Sequence, residues 1–147
     1  MAKVKIDSDT IKIMSLFEKV TGARLKDCIV NGKIIFIVYP TQSGIAIGKN
    51  GSNIKKLERM LKKRCVVVEY SNDKVQFTIS LIWPIKAEEV LENNGFIEIK
   101  CNDIQTKSVL IGREHRNINF FENVLKRHFN INGIRIVSSK MKGDKNI

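Results

Sequence analysis

The segment Gly48-Lys49-Asn50-Gly51 has the residue types and spacing that could do chemistry. Glycines lack a Cβ, so a sugar–phosphate chain can approach the main chain closely. The helix expected directly behind the turn presents unpaired N–H groups and partial positive charge to a phosphate. Lys49 adds a full charge at the same place, and Lys55, Lys56, Arg59, Lys62, Lys63 and Arg64 load the following stretch with more, opposed only by Glu58. The reading is a grip on the sugar–phosphate backbone of a nucleic-acid strand. Gly48 and Gly51 admit the phosphate path, Lys49 and Asn50 line it, and Lys55, Lys56 and Arg59 extend it. Asn53 is counted with them, and Ile47 and Ile54 are the apolar candidates to meet bases. Gly112, Arg113 and Arg116 are expected to contribute from a second copy of the arrangement. A lone G-x-x-G is more often a simple turn, a lysine face is more often solvated surface, and Ile54, Leu57 and Leu61 read first as core. What favours the grip is the conjunction of glycine turn and basic helix, met twice in a strongly basic chain.

Other chemistries lack residues. Gly44 to Lys49 has three residues between its glycines where a P-loop needs four, and Asn50 stands where Ser or Thr would hold magnesium. There is no dinucleotide fingerprint. His115 and His128 have no Cys, Asp or Glu pattern that suggests zinc. No paired carboxylates or triad offer themselves, so the expectation is a protein that is not an enzyme and takes no cofactor or metal. The 26 Lys and Arg against 15 Asp and Glu leave a net charge of +11, which suggests a polyanionic partner: nucleic acid first, an anionic membrane surface second. No apolar run approaches the roughly 20 residues of a membrane span. The start, from Met1 through Asp9, lacks the apolar stretch of a signal peptide. Cys28, Cys65 and Cys101 are odd in number and widely spaced, which fits neither a disulfide framework nor a metal knuckle. They read as buried reduced thiols, and the protein as a cytoplasmic monomer.

The elements that must position the grip are legible in outline. Asp7-Ser8-Asp9 offers N-cap oxygens to a helix with Ile13, Leu16, Phe17 and Val20 on one face, stopped by Gly22. Cys28 to Val30 and Lys33 to Val38 flank Asn31-Gly32, a hairpin signal in which both turn positions are expected at positive φ. Pro40 ends the second strand. After the glycine turn come a helix from Ser52 to Lys63 and a strand from Cys65 to Tyr70. Lys74 to Trp83 can be a helix or, from the alternation of Val75, Phe77 and Ile79, a strand; the repeat favours a helix. Glu88 to Glu92 and Phe96 to Cys101 flank Asn93-Asn94-Gly95 as a second hairpin. A helix from Arg116 to His128, with Ile118, Phe121, Leu125 and His128 on one face, and a strand from Ile131 to Val137 complete the order.

Shifting the sequence by 64 residues lays Gly48 on Gly112. Ile47 then meets Ile111, Asn53 meets Asn117, Ile54 meets Ile118, Glu58 meets Glu122 and Leu61 meets Leu125, without a gap. The turn glycine and the helix face recur together, so two copies of one supersecondary unit are expected.

From Gly44 to Lys55 the sequence Gly-Ile-Ala-Ile-Gly-Lys-Asn-Gly-Ser-Asn-Ile-Lys resembles the KH domains of the short archaeal NusA-like proteins. Asp27-Cys28-Ile29, Ile34 to Val38 and, more loosely, Ile111 to Asn117 extend the likeness to about Val137. The resemblance implies an α+β fold of two tandem type II KH domains, each α-β-β-α-α-β with a three-stranded sheet covered by helices on one face. It adds a short helix at about Gly44 to Ile47 and another at about Thr106 to Ile111. The expected domains are 1–72 and 73–137, followed by a basic tail, 138–147. The implied role is an RNA-binding transcription elongation or termination factor near RNA polymerase. A KH-fold protein-interaction or ribosome-associated module is the alternative. His115 stands at the last glycine position of the second turn, where its Cβ is expected to block close backbone approach and disfavour positive φ, leaving that grip weak, altered in specificity or purely structural.

Overall fold

The computed structural model describes residues 8–138. The expected tail therefore lies outside the described residues except for Ser138, as does Asp7 of the first cap. The chain separates into two compact units, with the division between Asn72 and Asp73. The first runs α1 (Ser8–Thr21), β1 (Leu25–Asn31), β2 (Lys33–Val38), α2 (Ser43–Ile47), α3 (Ser52–Leu61), β3 (Cys65–Glu69). The second runs α4 (Lys74–Ile82), β4 (Glu89–Asn93), β5 (Phe96–Cys101), α5 (Ile104–Ile111), α6 (Arg116–His128), β6 (Gly133–Ser138). Each holds a three-stranded sheet in sequence order, its first pair antiparallel and its second parallel. Both units are α+β, with the same order of elements.

Local chemistry sets the element ends. Gly22 takes φ +72° and its N–H donates to the Glu18 carbonyl at 2.9 Å, closing α1. The Asp73 carboxylate accepts from the N–H groups of Val75 and Gln76 and starts α4. That cap, with Phe77, Thr78, Leu81 and Ile82 buried at helical spacing, decides for helix where alternation also allowed a strand. Lys62 takes φ +55° and stops α3 two residues short of the expected end.

The two hairpins use different turns. In the first, Asn31 pairs directly with Lys33, and Gly32 alone has positive φ. The expectation of positive φ at both positions fails there, because Asn31 is still part of the strand. In the second, Asn93 pairs with Phe96 and both Asn94 (φ +53°) and Gly95 (φ +82°) are left-handed, the two-residue turn whose twist matches its strands.

The cores differ as well. In the first unit Phe17 of α1 stacks on Phe36 of β2 with ring centroids 4.3 Å apart. Leu25, Cys28, Ile34, Val38, Ala46, Leu57 and Cys65 complete that cluster, and Ile13, Leu16, Val20 and Ile54 pack against it. The other face of this sheet is also out of water, since Ile35, Ile37 and Val68 are buried. The unbroken apolar run of β2 is the sequence of a strand buried on both faces. In the second unit β5 alternates instead: Ile97, Ile99 and Cys101 are buried, while Glu98 and Lys100 are not. Phe77 of α4 meets the rings of His128 and Phe129 at 6.0 and 5.7 Å, so His128 sits at the core edge as expected.

Candidate nucleic-acid interface

The glycine turn of the first unit is a sharp bend between α2 and α3. Gly48 takes φ +79°, ψ 166°, a conformation essentially confined to glycine. Asn50 (φ +56°, ψ 28°) and Gly51 (φ +73°, ψ 18°) are both left-handed. The N–H of Gly51 donates to the Gly48 carbonyl at 3.0 Å and that of Ser52 donates to the Lys49 carbonyl. Lys49 and Asn50 head this turn, where N–H groups have no acceptor within the helix.

A strut holds the bend shut. The Asn53 side chain donates from Nδ2 to the Ile45 carbonyl at 2.9 Å, tying the start of α3 to the middle of α2. A Cβ on Gly48 would lie 2.9 Å from the Asn53 backbone nitrogen and side chain, so only glycine fits beneath it. Gly51 is different, since a Cβ there would meet nothing nearer than Lys55 Cε at 3.9 Å. The two glycines of the motif thus have separate reasons. The first is required by conformation and space, the second by conformation alone.

The bend presents charge outward. Lys49 and Asn50 are exposed, as are Lys55, Lys56 and Arg59 on α3 and Lys62, Lys63 and Arg64 after it. Among the described residues, none of Lys49, Lys55, Lys56 and Arg59 is in an ion pair. Glu58, the one acid on this helix, is turned to structural use: its Oε2 accepts from the Cys65 N–H at 3.0 Å and anchors β3. Ile47 is half exposed beside the bend, whereas Ile54 is partly buried and packed on the core. Of the expected base contacts, Ile47 is therefore the more accessible. Asn53 is in place but occupied by the strut, so its part is to shape the bend.

The second unit repeats the construction. Gly112 (φ +76°, ψ 171°), Glu114 (φ +55°, ψ 32°) and His115 (φ +64°, ψ 22°) trace the first bend to within a few degrees. Asn117 donates from Nδ2 to the Val109 carbonyl at 2.7 Å, and a Cβ on Gly112 would lie 2.7 Å from its side chain. Glu122 accepts from the Ile134 N–H at 2.7 Å as Glu58 does from Cys65. His115 takes positive φ despite the penalty that its Cβ carries there. The strut and the closing bond, His115 N–H to Gly112 carbonyl at 3.2 Å, hold it left-handed. The difference between the bends is charge. Arg113 and Arg116 lie at this bend with Gly112, but Glu114 stands where the first bend has Asn50, and its carboxylate lies 3.6 Å from the Arg116 guanidinium.

Sequence reasoning missed Asn53 and Asn117 as struts, although their equal distance from Gly48 and Gly112 was a usable signal. It also missed a cationic cluster on rings, where Arg24 lies over Tyr39 and Lys26 over Tyr70, at 4.8 and 4.4 Å. Among the described residues no group of His, Cys, Asp and Glu could hold a metal ion. No helix among them is long and apolar enough to cross a membrane.

A strand pair, a glycine bend strutted between two helices, and a returning parallel strand define a class. The chain belongs to the KH domain family, whose model matches residues 12–105. That match takes in nearly all of the first unit and the second as far as Gln105. Over 147 residues the chain is 30% identical to the probable transcription termination protein NusA of Methanocaldococcus jannaschii, covering 97% of this chain and 80% of the relative. The protein of that name from Methanococcus vannielii is 30% identical over 98% of this chain and 86% of its own length. That from Thermoplasma acidophilum is 27% identical over 92% and 97%. Among solved structures, the crystal structure of APE1850 matches with a TM-score of 0.70 at 32% identity, covering 89% of this chain and 99% of that one.

Proposed function

We propose that the chain is a non-enzymatic RNA-binding protein of the NusA type, built from two tandem type II KH domains, 1–72 and 73–137. It grips single-stranded RNA chiefly at the first bend and works as a transcription elongation or termination factor close to RNA polymerase. The observation that carries the reading is the strutted bend at Gly48 with exposed Lys49 and Asn50 at the head of a cationic helix. A phosphate placed there meets the Lys49 charge, main-chain N–H groups and a close backbone approach that no side chain obstructs. Lys55, Lys56 and Arg59 continue the positive track along α3, while Ile47 offers an apolar surface to a base. Gly112, Arg113 and Arg116 contribute from the second bend. The repeated order of elements, dihedral angles and strut supports the tandem reading. The names of the archaeal relatives support the role in transcription.

The test is Lys49→Asp with Asn50→Asp, two exposed positions whose replacement leaves the core alone. The double variant is expected to keep the wild-type circular dichroism spectrum and lose binding to single-stranded RNA in an anisotropy titration. Wild-type affinity in a folded double variant removes the bend as the grip.

A further inference from the structure

Resting on that reading of the bends as RNA grips, we propose that Glu114, and not His115, sets how weakly the second bend holds phosphate. Three observations carry this. The two bends have the same main-chain path, so the backbone does not set the second apart. At the fourth position a side chain does not disturb the fold, since a Cβ on Gly51 would meet only the end of the Lys55 side chain and His115 holds the same left-handed conformation. The following helix differs too, with Asn119, Phe120 and Asn123 where the first has Lys55, Lys56 and Arg59, but within the four-residue turn position 114 alone introduces a negative charge. It replaces the neutral Asn50 by a carboxylate that is 76% exposed at the crest of the turn and stands beside the Arg116 guanidinium.

A phosphate seated on the second bend would meet Arg113 in attraction and Glu114 in repulsion. It would also compete with Glu114 for Arg116. Glutamate has no special ease in the left-handed region, unlike asparagine, so the conformation is imposed by the Asn117 strut. The strut therefore fixes the main chain of Glu114 at the crest, and its side chain lies there beside Arg116. The physical consequence is a division of labour. The first bend supplies the main phosphate grip, and the second holds phosphate weakly because its charge is nearly cancelled.

The experiment titrates a labelled random-sequence single-stranded RNA against the full chain, at low and at moderate potassium chloride. The proteins are wild type, Glu114→Gln, Glu114→Lys, His115→Gly, Glu88→Gln and Lys49→Asp/Asn50→Asp. Glu88 is exposed and lies just before β4, outside the sequence of either bend, so Glu88→Gln serves as the control that removes one negative charge elsewhere. Glu114→Gln is expected to tighten binding by about three- to tenfold at low salt. Glu114→Lys is expected to tighten it further, with Glu88→Gln and His115→Gly each gaining less than Glu114→Gln. One added phosphate contact steepens the salt slope by about 0.7 for a single strand. No gain for either Glu114 variant, or a gain for His115→Gly or Glu88→Gln as large as that for Glu114→Gln, overturns the proposal while a defective Lys49→Asp/Asn50→Asp leaves the first bend's role intact. Wild-type binding by that double variant defeats the RNA reading itself, and the role of Glu114 falls with it.

Discussion

Gly48 and Gly51 look equivalent in a G-x-x-G, yet they answer to different physics. Alanine at Gly48 must adopt a conformation that costs about 1–3 kcal/mol and must also displace Asn53, which a Cβ would approach to 2.9 Å. Alanine at Gly51 bears only the left-handed penalty of about 1–2 kcal/mol, a conformation His115 sustains in the second unit. Gly48→Ala is therefore expected to lower stability in urea denaturation clearly more than Gly51→Ala. Equal midpoints for the two contradict the strut. Cys65 gives a second residue-scale prediction. Burial, helped by the Glu58 carboxylate, pushes its thiol up to about 11 from its ordinary value of 9.0. A thiol that resists ionisation when folded adds stability that is complete below the unfolded value and is lost as pH rises through the folded one. Between about pH 9 and 11 wild type is thus expected to lose stability more steeply than Cys65→Ala, followed by thermal unfolding across that range. Parallel curves contradict the buried, protonated thiol.

Each unit fastens its last helix to its last strand through one carboxylate, Glu58 to the Cys65 N–H and Glu122 to the Ile134 N–H. Removing the acceptor strands a part-buried donor, which costs about 1–3 kcal/mol. Glu122→Ala is expected to show that loss in chemical denaturation, with Glu122→Gln, which keeps an acceptor oxygen, recovering part of it. An unchanged midpoint for Glu122→Ala means the bond carries no stability. These glutamates show what could be read at the scale of elements. The order of strands and helices was legible because amphipathic spacing, caps and Asn-Gly signals are local. The match of Glu58 with Glu122 and of Asn53 with Asn117 was legible as repetition. Their purpose was not, because both side chains bond to main-chain groups on other elements, which no local pattern encodes. The same limit explains Asn31. Its neighbour Gly32 supplies all the positive φ that the first turn needs, whereas Asn94 and Gly95 share it in the second, and an Asn-Gly pair reads alike in both. The burial of Ile35 and Ile37 was half legible, in an apolar run that never alternates. The negative charge at Glu114 stood in plain view, but its weight emerged only once His115 proved to hold the left-handed conformation.

At the scale of the whole chain, the +11 charge says that a polyanion is attracted but not where. The bends divide that attraction unequally. The first offers Lys49, Lys55, Lys56 and Arg59 free of ion pairs among the described residues, and the second offers Arg113 beside a Glu114–Arg116 pair. If about four phosphates are neutralised along the first bend and α3, the logarithm of affinity falls with the logarithm of salt at a slope of roughly −3 for a single strand. The first unit has its own closed core around Phe17 and Phe36, although a domain of this size buries only a modest share of its surface and is marginal in stability. A fragment spanning 5–72 is therefore expected to fold with lower stability than the full chain while keeping most of its salt slope. A fragment spanning 73–138 is expected to show a slope near −1 and much weaker binding. Titrations of both fragments over a range of potassium chloride check this. A steeper slope for the second fragment than for the first places the phosphate contacts on the wrong unit, and with them the division of labour between the two bends.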